Sequence, residues 1–147
     1  MLLDERLLED MKSAMKDKSK QRLSVIRMAR AAIKEQEINQ RKELTEQEIV
    51  EVLAKLVKQN KESLVEYEKA EQEERVEKLK REIEILQEYL PEQLTEEELE
   101  VLVDEVISEV DAQDMSDMGQ VMGVIMPQVK GRADGNLVNQ LVRDRLE

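Results

Sequence analysis

Every glycine of this 147-residue chain lies between positions 119 and 135, and one of its two prolines, Pro127, lies there too. Outside that stretch the sequence is almost continuous helix-forming material. A glycine inside a helix costs about 1 kcal/mol relative to alanine. Four gathered in Met118-Gly-Gln-Val-Met-Gly-Val-Ile-Met-Pro-Gln-Val-Lys-Gly-Arg-Ala-Asp-Gly135 imply a local demand. That demand is close helix packing, a turn with positive φ, or approach to a ligand.

The core has to be aliphatic. Aromatic residues make up 1% of the chain, with Tyr67 and Tyr89 as the only examples, while charged residues make up 39%. Abundant Glu, Lys, Leu and Gln favour helices, because strands draw on β-branched and aromatic residues. The apolar residues recur at helical spacing, which separates the chain from a disordered polyelectrolyte. An all-α fold is expected.

The chain has no cysteine and no histidine, which excludes disulfides and thiolate metal sites and leaves zinc only carboxylates. No metal or cofactor is expected. No apolar run approaches the roughly 20 residues of a membrane span, and charges begin at Asp4. These features predict a soluble cytoplasmic protein without a membrane partner. The net charge of −12 argues against broad nucleic-acid binding, so DNA is not expected as a partner.

Charge is unevenly distributed. Residues 11–34 hold Lys12, Lys16, Lys18, Lys20, Arg22, Arg27, Arg30 and Lys34 against the single acid Asp17, whereas residues 92–114 hold only acids. Screening limits the reach of each region to about 8–10 Å near physiological salt. An acidic chain can therefore still hold an anion locally.

Seven helices are predicted. The first covers residues 2–17, with Leu3, Leu7, Met11, Ala14 and Met15 on one face. Ser19 is placed to cap a second, running to Gln40. Thr45-Glu-Gln-Glu48 reads as a capping box for a third, whose stripe is Ile49, Val52, Leu53, Leu56, Asn60, Leu64 and Tyr67. After a bend at Glu71–Glu74, a fourth presents Val76, Leu79, Ile83, Leu86 and Leu90, and Pro91 ends it. Thr95-Glu-Glu-Glu98 is a second capping box, followed by helices over 95–110, 116–126 and 134–146, the last capped by Asp134. The expected domains are 1–91, a larger N-terminal part of about four helices, and 92–147, a three-helix bundle.

Catalysis by this chain alone finds no support in the residues. There is no histidine for acid–base work and no cysteine nucleophile, and no serine lies in G-x-S-x-G or Ser-x-x-Lys. On the second helix, Lys20, Arg27, Arg30 and Lys34 fall within an arc of about 80° at 100° per residue. This stripe either pairs with glutamates of a neighbouring helix or contacts successive phosphates. Further on, Lys130 and Arg132 precede a helix N-terminus at Asp134, where backbone N–H groups and basic side chains suit a phosphate. The alternative is a plain helix–helix turn with Gly131 as the left-handed C-cap. Gly119 and Gly123 would let another helix approach, and Met118, Met122 and Met126 would fill a core or line a partner groove.

Leu23-Ser-Val-Ile-Arg-Met28, Glu82-Ile-Glu-Ile-Leu-Gln-Glu-Tyr-Leu-Pro-Glu-Gln-Leu94 and the run from Asp117 to Asn139 closely resemble the YqeY family over essentially the whole chain. The C-terminal part is similar to the tail of the B subunit (GatB) of the tRNA-dependent amidotransferase. The resemblance implies a two-domain helical protein that binds tRNA or a tRNA-associated complex, including an amidotransferase as partner, through Lys130, Gly131, Arg132, Gly135, Asn136 and Asn139. It also implies a carbon–nitrogen ligase label with glutamine as amide donor. The kinase-like and glutaminase centres of that enzyme lie outside the region resembled, so the label does not carry catalysis. The family pattern often has Lys or Arg at the positions of Gln120, Gln128 and Asn136. Neutral residues there imply fewer phosphate contacts and a flatter salt dependence. Protein-interaction adaptor and accessory to amide transfer are the competing readings.

Overall fold

The computed structural model describes residues 2–147, and these form seven α-helices with no strand among the described residues. They are α1 (Leu3–Lys16), α2 (Lys20–Gln40), α3 (Glu46–Lys69), α4 (Glu73–Gln87), α5 (Glu96–Glu109), α6 (Met118–Val129) and α7 (Gly135–Leu146). A 3-10 turn, Met115–Asp117, leads into α6. Contacts gather into two compact units, one ending at Leu90 and the other spanning Pro91–Glu147.

Both predicted capping boxes form. Thr45 and Thr95 accept from the amides of Glu48 and Glu98, and each glutamate accepts in return from the threonine amide. Ser19 occupies the N-cap position of α2, but its side chain makes no capping bond. Helices of the glycine-free region end by another route. Lys18, Arg41, Glu71 and Asp111 adopt φ of 57°, 55°, 54° and 55°. Beside each runs a bond spanning five residues: Ser19 N to Ala14 O, Lys42 N to Glu37 O, Gln72 N to Tyr67 O, and Ala112 N to Ile107 O. These are Schellman closures built without glycine.

The N-terminal unit packs Leu7 of α1, Val25, Ile26, Ala29 and Ile33 of α2, Ile49, Leu53 and Val57 of α3, and Ile83, Ile85 and Leu86 of α4 into one core. Full burial of such a side chain contributes about 1.5–3 kcal/mol. Met15, expected on the α1 stripe, is instead 51% exposed. It lies at the end of α1, beyond the last buried residue, Ala14. Helix α4 stops at Gln87, before Pro91, because Tyr89 and Leu90 close a tighter turn onto Leu86 and Gln87. The α3–α4 hairpin outruns the core: its last buried residues are Val57 and Ile83. Beyond them only half-buried side chains such as Leu64, Tyr67, Val76 and Leu79 remain, and Arg75 sits over the Tyr67 ring at 5.3 Å.

The C-terminal unit is a three-helix core of Leu99, Val103 and Val106 from α5, Val121, Ile125 and Val129 from α6, and Val138, Leu141, Val142 and Leu146 from α7. An ion pair at 2.8 Å from Arg145 to Asp104 ties α7 to α5. Two expectations for α6 are corrected. The helix passes through Pro127 to Val129. The proline falls in its last turn, and the carbonyl deprived of a donor belongs to exposed Gly123 and can turn to water. Gly119 and Gly123 do not receive a neighbouring helix: both are exposed, and a Cβ built on either meets nothing within 4 Å.

Candidate nucleic-acid interface

The turn between α6 and α7 is built by glycine. Lys130 has φ −58° and ψ 122°, Gly131 has φ 76°, and the amide of Arg132 donates to Val129 O at 2.8 Å. This is a type II turn with Gly131 at the position that needs positive φ. The simple C-cap expected at Gly131 is therefore replaced: Lys130 ends the helix and Gly131 turns the chain.

The segment 91–94 pins this turn in place. Gln93 Nε2 donates to Gly131 O at 2.7 Å and to Pro91 O at 2.9 Å. Leu94 N donates to Arg132 O at 2.9 Å. Arg132 Nε donates to Glu92 O at 3.0 Å. The last bond fixes the guanidinium plane through Nε, and the two Nη groups have no partner among the described residues. A guanidinium held this way offers its paired Nη donors as a fork, the geometry that suits a phosphate.

The remaining predicted residues lie on the first turns of α7. Asp134 caps the helix by accepting from Asn136 N at 2.9 Å, so one amide that could meet an anion already has a carboxylate. The side chains of Lys130 and Asn136 are exposed, and Gly135 and Asn139 are half-buried. Three positions separate Asn136 from Asn139, which puts them on one face of α7. The neutral Gln128 bends back, with Nε2 donating to Val124 O at 3.2 Å.

The predicted stripe on α2 breaks up. Lys20, Arg27 and Lys34 are exposed and form no ion pair among the described residues. Arg30 is withdrawn from that ridge. Its Nη1 lies 3.3 Å from the Met11 sulfur, and its buried Nε has no hydrogen-bond partner. The pairing with glutamate anticipated for the stripe belongs instead to Arg22, which meets Glu88 at 2.7 and 3.1 Å.

A cluster around Tyr89 escapes sequence reasoning. Arg6 sits over the Tyr89 ring at 4.5 Å and donates to Glu88 O at 3.1 Å, while the Tyr89 hydroxyl donates to Asp10. Burial, reinforced by the Asp10 bond, raises the Tyr89 hydroxyl well above its ordinary range. The Arg22 hydrogen bonds hold the Glu88 carboxyl below its ordinary range. The cluster joins α1, α2 and the turn after α4, and its place in the core reads as structural. No group of His, Cys, Asp or Glu among the described residues is arranged to hold a metal ion. No helix among them is long and apolar enough to cross a membrane.

The family model described as Yqey-like protein matches residues 4–146. The chain is 31% identical over 142 residues to Altered inheritance of mitochondria protein 41, mitochondrial, of Pyrenophora tritici-repentis, covering 95% of this chain and 78% of that protein. It is 43% identical over 58 residues to the E subunit of glutamyl-tRNA(Gln) amidotransferase of Thermococcus gammatolerans, covering 37% of this chain. That match spans only 9% of the amidotransferase polypeptide. The corresponding polypeptide of Thermococcus sibiricus is 41% identical over 58 residues.

Proposed function

The chain belongs to the YqeY family, and on that premise we propose that its C-terminal unit is a non-catalytic module that binds tRNA or a tRNA-bearing complex. The likeness to the two Thermococcus amidotransferase polypeptides carries this reading. The 58 residues matched are about the length of the C-terminal unit, and the name of those relatives states an action on glutamyl-tRNA(Gln). The chemistry of the α6–α7 turn agrees. Arg132 presents an oriented pair of donors, Lys130 lies two residues before it, and Asn136 and Asn139 share a face of α7. We assign the module to the cytoplasm; the mitochondrial designation in the fungal relative's name belongs to that protein.

Titrating labelled tRNA with the full chain at low and moderate salt tests the proposal. Saturable binding that weakens in Arg132→Gln by about tenfold is expected, the loss of one charge-assisted contact. Absence of saturation at micromolar protein refutes direct recognition. Mixed with glutamine, ATP and glutamyl-tRNA(Gln), the chain alone should form no amide product.

A second reading, a protein-interaction adaptor, draws on one observation: α6 carries no charge and turns Gly119 and Gly123 to solvent beside half-buried Met122 and Met126. Pull-down with and without ribonuclease separates the two. A partner retained after digestion favours the adaptor.

A further inference from the structure

We propose that the groove between α2 and α4 is a phosphate-binding site of the N-terminal unit, independent of the reading given for the C-terminal unit. The groove is open to solvent, with a volume of about 660 Å³, and it is lined by Lys20 and Ser24 of α2 and by Lys78 and Arg81 of α4. Residues far apart in sequence meet here because α2 and α4 share the core of this unit, and Gln21 Nε2 donates to Lys78 O at 3.1 Å across 57 positions. Neither Lys20 nor Lys78 forms an ion pair among the described residues. Arg81 meets only Glu84, at 3.5 Å, with both side chains more than half exposed. A contact of that kind contributes little and exchanges readily.

Two carboxylates, Glu77 and Glu82, also line the groove. With the ion-pair partners included, Glu84 on Arg81 and Lys80 on Glu77, four cations stand against three acids, a local charge of 4 − 3 = +1 within a chain of net −12. Because screening cuts interactions off within about 8–10 Å, the local balance governs a ligand seated there. The two acids restrict the groove to a compact anion that can bring acceptor oxygens to several donors at once. Beside the groove, α2 begins with no acid in its first turn and no side-chain cap from Ser19, so the amides of Gln21 and Arg22 are uncapped by any side chain. A tetrahedral phosphate accepts together from ammonium, guanidinium, hydroxyl and backbone N–H groups.

Free phosphate and the phosphodiester of an RNA strand share this chemistry. Exposed Arg27 lies seven residues beyond Lys20, about 10 Å along the same face of α2, where a strand leaving the groove would run.

Titrating the ¹⁵N-labelled full chain with inorganic pyrophosphate, and separately with a short oligoribonucleotide, tests the site. Saturable shifts of the Gln21, Arg22, Ser24 and Lys78 amides are expected in at least one titration. Shifts with the oligoribonucleotide alone assign the groove to an RNA backbone, and shifts with pyrophosphate alone assign it to free phosphate. The double variant Lys20→Gln/Lys78→Gln should bind about tenfold more weakly or worse, the effect of removing charge-assisted bonds. The control Lys55→Gln, at an exposed lysine of α3 outside the groove lining, should leave pyrophosphate binding unchanged. No saturable shift at these amides with either probe, or equal affinity in a double variant of unchanged circular dichroism, overturns the proposal.

Discussion

Replacing two glycines of the same segment by alanine should change stability in opposite directions. Gly123 lies inside α6 on its exposed face, and a Cβ there meets nothing within 4 Å. Gly123→Ala therefore gains the helix-propensity difference with no clash to set against it, about 0.8–1.0 kcal/mol. Gly131 holds φ 76° at the third position of the type II turn. An L-residue forced into that region loses about 1–2 kcal/mol, so Gly131→Ala should be destabilising despite its smaller unfolded-state entropy. Urea denaturation of each full-length variant, followed by circular dichroism at 222 nm, reads the difference. With a slope of about 1–3 kcal/mol per molar, the Gly123→Ala midpoint rises by a few tenths of a molar or more, and the Gly131→Ala midpoint falls by at least as much. Midpoints moving in the same direction would refute the division of the glycine cluster into a free helical half and a conformationally required half.

Other outcomes follow from the same geometry. Gln93→Ala removes donors to Gly131 O and Pro91 O, and should lower stability by about 1–3 kcal/mol in urea denaturation while also loosening tRNA binding. Below about pH 4.5, the ordinary carboxylate value, Glu88 should oppose unfolding less and less. Its folded pKa is depressed by Arg22, so its contribution is present above the unfolded value and is lost as pH falls through the folded one. Arg22→Gln should accordingly show a smaller acid-induced drop in melting temperature than the parent. A drop of equal size would exclude Arg22 as the cause. Tyr89 reverses the sign: with its folded pKa raised, stability present below pH 10.0 should decline as pH rises further, while the absorbance change of its ionisation at 295 nm arrives late.

The elements legible in the sequence are those whose signals are local. Thr45 and Thr95 announced their capping boxes because both halves of each motif lie within four residues. Asp134 marked the start of α7 for the same reason. Pro127 misled, since the carbonyl it deprives of a donor belongs to exposed Gly123, which can turn to water, and the helix continues to Val129. The four glycine-free Schellman turns left no residue signature, because their left-handed positions are filled by Lys, Arg, Glu and Asp. At the candidate interface, the positive φ at Gly131 was foreseeable, but the hold of Gln93 and Glu92 on Gly131 and Arg132 spans about forty positions and has no local trace. The same holds for Arg30. Its helical projection matched the other cations of α2, and only the packing of α1 shows that it faces Met11.

The α3–α4 hairpin has a practical consequence. Past Val57 and Ile83 its two helices hold each other with half-buried side chains, and its tip turns at exposed Glu71. Backbone with so little apolar burial opens locally before the rest of its unit, so its amides should lose protection from hydrogen exchange first. The tip is also where extra chain is best absorbed. A short insertion carrying a reporter dye between Ala70 and Glu71 would lie outside the α2–α4 groove lining and outside the 129–139 turn, giving the molecule a signal its two tyrosines cannot supply.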